Sequence, residues 1–128
     1  MNKDNQLIYE AYLDSDYDES SQEPEMEVDD EGNKSWRLEG EYHRTDGPAV
    51  INADGYKSWW LYGRRHRMDG PAIINADGDL FWFIHGNNYG TATNWARSVL
   101  MRRNQPHDPD SVANFLRPIL AKSTKDLI

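Results

Sequence analysis

The chain has 128 residues and no cysteine, with 14 Lys and Arg against 22 Asp and Glu and a formal net charge of −8. Disulfides, thiolate metal sites and thiol catalysis are excluded, while 38% hydrophobic and 28% charged residues suit a soluble chain with one core. No apolar run approaches the roughly 20 residues of a membrane span. The N-terminus lacks the apolar stretch of a signal peptide, and the negative charge disfavours anionic membrane surfaces, so a cytoplasmic location is expected.

Charge is unevenly spread. Residues 1–31 hold twelve acids and one base, which gives −11 there and +3 over residues 32–128. Residues 1–25 therefore read as an acidic, largely disordered leader. Its one apolar cluster, Leu7 to Leu13, allows a short helix over 6–13.

Beyond the leader the chain repeats with a period of 23 residues. Residues 32–54 (GNKSWRLEGEYHRTDGPAVINAD) and 55–77 (GYKSWWLYGRRHRMDGPAIINAD) are identical, without a gap, at more than half of their positions. A decaying copy, GDLFWFIHGNNYG, occupies residues 78–90. Gly32/Gly55/Gly78, Trp36/Trp59/Trp82 and Gly40/Gly63/Gly86 align, as do His43 and His66, with Tyr89 in the third place.

The G-x-x-H-R spacing with a following Asp-Gly resembles the MORN repeat family, in its divergent HRxDGPA variants of small bacterial and phage proteins. The resemblance covers residues 26–90. Arg44 and Arg67 depart from it, standing where a Gly commonly follows the His. It implies stacked β-hairpins in a single sheet and a binding or scaffolding role, without chemistry.

The residues also argue for hairpins. Strand-like runs flank Ala53-Asp54-Gly55, and Asp-Gly is a turn signal. A three-residue loop with Gly55 in the left-handed position puts Ala49, Ile51, Trp59 and Leu61 on one face, whereas a two-residue turn would split them. The recurring apolar positions then share a front face: Val28/Ile51/Ile74, Trp36/Trp59/Trp82 and Leu38/Leu61/Ile84. On the back, Glu27/Val50/Ile73, Ser35/Ser58/Phe81 and Arg37/Trp60/Phe83 drift from polar to apolar.

That drift calls for a cover over the back of the last copies. Residues 91–128 are expected to supply it as a helical cap. One helix runs from a Thr93 cap to Arg103, with Trp95 and Val99 on its apolar side. A second starts at Asp108-Pro109, presents Val112, Phe115, Leu116 and Ile119, and is kinked or ended by Pro118. The expected class is mainly β, α+β overall.

Catalytic, metal and cofactor sites are not expected. His43-x-x-Asp46 and His66-x-x-Asp69 offer too few ligands for zinc and read as packing between copies, with Asp-Gly-Pro shaping a turn. Asn75 to Asp79 lacks the bidentate Glu of a calcium loop, and no phosphate-binding or dinucleotide motif is present.

The candidate binding residues are Trp59, Tyr62, Arg64, Arg65, Tyr42 and Glu41. Arginine among aromatics suits a protein hot spot, and equally single-stranded nucleic acid or a nucleotide messenger. Positions 41/42, 64/65 and 87/88 vary inside a fixed frame, as in a scaffold presenting a specific surface. The leading expectation is a non-enzymatic protein-interaction module, as in a phage- or mobile-element-encoded inhibitor of a host defence factor. The alternatives are a binder of an anionic ligand and an immunity or antitoxin component.

Overall fold

The computed structural model describes residues 23–125. Of the leader expected to be disordered over residues 1–25, residues 1–22, with the short helix at 6–13, lie outside the described residues; its last residue, Glu25, opens the first strand.

Among the described residues eleven short strands and two helices follow in order. The long strand of each copy starts at Lys34, Lys57 or Leu80, and its two halves do different jobs. In the first copy it is continuous: β2 (Lys34–Leu38) pairs with β1 (Glu25–Val28), β3 (Glu41–Tyr42) and β4 (Val50–Ile51). In the second copy it divides into β5 (Lys57–Ser58) and β6 (Trp60–Leu61), and in the third into β9 (Leu80–Phe81) and β10 (Phe83–Ile84). First halves join a seven-stranded antiparallel sheet through β8 (Ile73–Ile74), in the order β1-β2-β4-β5-β8-β9 with β3 off β2. Second halves form separate two-stranded ladders with β7 (Arg64–Arg65) and β11 (Asn87–Asn88).

The expected single sheet is therefore divided into three. Trp59 is where the partner changes: its N–H donates to the Ala72 carbonyl at 2.8 Å, while its carbonyl accepts from His66 N–H at 3.1 Å.

Two turn types build each copy. Val50 faces Ser58 and Ile51 faces Lys57, and Asn52 N–H donates to the Tyr56 carbonyl at 2.9 Å. The loop is thus Ala53-Asp54-Gly55 with Gly55 at φ 101, the three-residue hairpin expected from face parity. The other turns, Glu39-Gly40, Tyr62-Gly63 and His85-Gly86, each hold both residues at positive φ, as the two-residue type I′ hairpin requires. A tyrosine or histidine at the first position is unfavourable by itself, so packing has to hold it there.

The cap is helical, with shifted bounds. Thr91, rather than Thr93, caps α1 (Ala92–Arg102), its hydroxyl accepting from Asn94 N–H at 3.1 Å. The second helix, α2 (Pro109–Lys125), runs through Pro118 instead of ending there.

The helices cover the opposite face from the one expected. Trp82 and Ile84, on the front, form the main core with Met68, Trp95, Ala96, Val99, Leu100, Val112 and Leu116. Ile73 and Phe83, from the back, form a second cluster with Ala72, and Tyr56 packs against it; Phe81 stays 37% exposed. The physical reason lies in one substitution. Arg44 and Arg67 lie flat on the front tryptophans of their own copies, each 3.8 Å from a ring of Trp36 or Trp59. The third copy has Gly90 at that position, so the Trp82 ring has no arginine and Trp95 packs on it instead, with centroids 4.8 Å apart.

Candidate interaction face

The His-Arg-x-Asp-Gly-Pro block is a fastening between copies. His43 Nδ1 accepts from Tyr62 N–H at 3.0 Å and His66 Nδ1 from His85 N–H at 2.9 Å. Each histidine thereby ties down the type I′ turn of the next copy. Its ring also rests on that turn's first side chain, at 4.2 Å from Tyr62 and 4.3 Å from His85. This contact explains why non-glycine residues hold a left-handed position there. Burial pushes the pKa of His43 below its ordinary 6.5, against a smaller opposing effect of Glu23.

The arginine of the block is equally committed. Arg67 Nε pairs with Asp69 at 2.8 Å, and Nη1 donates to the Pro71 carbonyl at 3.1 Å. Arg44 repeats both contacts with Asp46 and Pro48. The His-x-x-Asp spacing thus serves packing. Among the described residues no group of three His, Cys, Asp or Glu is placed to hold a metal.

The back of the hairpins is arranged differently. Cross-strand partners share a face, so Arg37 stands beside Tyr42, Trp60 beside Arg65, and Phe83 beside Asn88. These residues make a continuous row across all three copies. Arg37 donates to the Tyr42 hydroxyl at 3.3 Å and lies 4.9 Å from its ring. The Tyr42 and Trp60 rings are 5.3 Å apart. Arg65 then spans Trp60 at 5.0 Å and Phe83 at 5.5 Å. Trp60 is fixed from below, its Nε1 donating to the buried Ser58 hydroxyl at 2.8 Å. The row continues into an open groove of about 300 Å³ that includes Glu27, Ser35, Arg37, Tyr42 and Val50.

Of the six candidates from sequence, only Tyr42 and Arg65 belong to this row. Trp59 lies on the front beneath Arg67, and Tyr62 is held in its turn against His43. Arg64 and Glu41 face Leu61 and Leu38 across their hairpins, which puts both on the front, exposed. Trp60, Arg37 and Phe83, which complete the row, are not among the six candidates. The signal for them was present: all three share repeat position 37/60/83, and Tyr42 and Arg65 are their cross-strand partners.

No family model, no curated protein and no solved structure matches this chain. Among the described residues no helix is long and apolar enough to cross a membrane.

Proposed function

We propose that the chain is a non-enzymatic interaction module that grips a protein partner with the back of its hairpins, the face that α1 and α2 leave uncovered. The observation that carries this is the row Arg37, Tyr42, Trp60 and Arg65, which the buried Phe83 supports from behind Arg65. Tryptophan, tyrosine and arginine dominate binding hot spots because each offers large area at modest entropic cost. Here they lie side by side, held by β-ladders and a buried serine, so little ordering remains for binding to impose. A phage- or mobile-element-borne inhibitor of a host factor is one form of such a module, supported by the repeat resemblance and the acidic leader. An immunity component is another form, resting on the resemblance alone.

A second reading takes the same row as the seat of an anionic, stackable ligand such as single-stranded nucleic acid. Two guanidiniums interleaved with rings favour it. The deciding experiment is affinity capture from native host extract with the full chain and three variants. Trp60→Ala and Arg65→Ala should lose the partner, while Arg64→Ala on the other face should keep it. Capture indifferent to Trp60 and Arg65 would refute the proposed surface. Calorimetric heat with an oligonucleotide, abolished by Arg65→Ala, would establish the second reading instead.

A further inference from the structure

The repeat sheet has two edge strands: among the described residues β9 pairs only with β8 at one end and β1 only with β2 at the other. The helices pack on the front of the last copy, and β1 is the longer edge, four residues against two. All four residues of β1 are exposed, Met26 at 51% and Val28 at 53%. We propose that β1 is a docking edge for an extended segment of a partner protein in which basic and apolar side chains alternate. This rests on the reading of the chain as a protein-interaction module, but it concerns a different surface from the aromatic row.

The backbone sets the register of such a pairing. Asp29 N–H donates to the Asn33 carbonyl at 3.0 Å. Hydrogen-bonded pairs alternate in an antiparallel ladder, so the Glu27/Ser35 and Glu25/Arg37 pairs bond inward. The N–H and C=O groups of Met26 and Val28 therefore point away from the sheet. Trp36 N–H agrees, since it donates to Ala49 on the opposite side at 2.8 Å. The strand is presented firmly: the Asp29 carboxylate accepts from the Glu31 and Asn33 amides at 2.9 Å each, closing the turn behind it. Those hydrogen bonds, the Asn33 amide's foremost, hold the Asp29 pKa below the usual carboxylate value.

Side chains select the occupant. Glu25 and Glu27 share the back face of β1, Met26 and Val28 the front. Neither glutamate forms an ion pair within 4.0 Å among the described residues; their neighbour Arg37 is turned onto Tyr42 and feels Glu27 only as the last of the influences on its charge. A partner strand would therefore gain most with Lys or Arg over the two glutamates and apolar side chains beside Met26 and Val28. A second copy is the wrong occupant. Any two-fold pairing that keeps the faces matched sets Glu27 or Glu25 against another acid, which is destabilising. The chain's own leader is also poorly suited. Residues 1–22 carry six acids and one base. One period before Gly32 and Gly40 stand Tyr9 and Tyr17, so that stretch lacks the glycines that let the later copies turn. Acids at alternate positions repel like edges and admit basic ones, which is discrimination by charge.

The test uses the full chain labelled with ¹⁵N and a blocked nine-residue peptide of alternating lysine and valine. A peptide with the same residues in two blocks is the control for bulk charge. The alternating peptide should shift the Met26 and Val28 amides and protect them from exchange, leaving protection at Glu25 and Glu27 unchanged; the block peptide should not. Val28→Pro removes an outward donor without touching the ladder to β2, and should weaken binding by roughly tenfold or more while tryptophan emission stays native. Glu25→Lys with Glu27→Lys should reverse the preference toward alternating glutamate and valine. Trp60→Ala should still bind the peptide, so failure at β1 is separable from failure of the aromatic row. Binding indifferent to the charge reversal would overturn the proposal. So would concentration-dependent dimerisation through β1, or Met26 and Val28 amides that are protected in the free monomer and released on deleting residues 1–22.

Discussion

Gly70→Ala tests the fastening between copies more sharply than removal of its arginine. Neither Gly47 nor Gly70 has a positive φ, so alanine is allowed by the backbone at both sites. What differs is the space. A Cβ at Gly70 would stand 2.6 Å from Arg67 Cζ and 2.9 Å from Nη1; at Gly47 the nearest atom, Arg44 Cζ, is 3.1 Å away. The Arg67 side chain is 9% exposed and Arg44 is 21% exposed, so the second arginine also has less freedom to retreat. Displacing Arg67 forfeits a cation–π contact worth about 1 kcal/mol. It also forfeits a charged hydrogen bond to Pro71 worth about 1.5–3 kcal/mol. Against this, alanine restricts the unfolded chain and returns about 0.4–1 kcal/mol.

The net expectation is a loss of about 2 kcal/mol for Gly70→Ala and less than about 0.5 kcal/mol for Gly47→Ala. With a urea m-value of about 1.5 kcal/mol/M, the first lowers the midpoint by about 1.3 M and the second by about 0.3 M or less. Tryptophan fluorescence during urea unfolding reads both. A double-mutant cycle completes the argument: in an Arg67→Ala background, Gly70→Ala should cost almost nothing, because the clashing group is gone. Equal losses at the two glycines, or an undiminished cost in the Arg67→Ala background, would refute the steric account.

Four further outcomes follow from other contacts. Gly55→Ala, with no heavy atom within 4 Å of its added Cβ but φ at 101, should cost on the order of 1 kcal/mol by urea midpoint, from backbone strain alone. Trp95→Ala should lose about 3–5 kcal/mol, since the ring is fully buried against Trp82 and its Nε1 donates to the Arg67 carbonyl at 3.0 Å; truncation after Gly90 should give an aggregating product with Trp82 and Ile84 uncovered, and a well-behaved monomeric fragment would refute this. His43 is neutral in the fold because its pKa is depressed below 6.5, so its contribution is fully present above about pH 6.5 and is lost as pH falls through the lower folded value; a His43→Gln variant should flatten that part of the stability profile, and an unchanged slope would count against the buried neutral ring.

Much of the frame was legible because the repeat supplies its own controls. Face parity chose the three-residue loop at Gly55, since only that loop brings Ile51 and Trp59 together, and the register confirms it. The type I′ turns were harder to see. Glu39, Tyr62 and His85 have no common turn propensity, and what holds the last two is a histidine nineteen residues earlier. The six candidates divide between two faces for a related reason. Sequence adjacency put Arg64 and Arg65 together, but in a strand neighbours point to opposite faces, so one joined the aromatic row and the other left it.

The face chosen by the helices shows how one residue can decide architecture. Apolar drift on the back argued for a cover there, and the drift is real: Glu27, Val50 and Ile73 lie in successive rows. Yet the third copy's back is served locally by Tyr56 and by Arg65 lying along Phe83. Its front is not served, because Gly90 cannot lay a guanidinium over Trp82 as Arg44 and Arg67 do over Trp36 and Trp59. An indole left open at the end of a stack is a larger deficit than a part-covered phenylalanine, and Trp95 answers it from the first turn of α1. The helices follow that one contact onto the front. Their absence from the back is what leaves Arg37, Tyr42, Trp60 and Arg65 uncovered by α1 and α2, so the loss of a single arginine in the last copy both places the cap and opens the proposed binding surface.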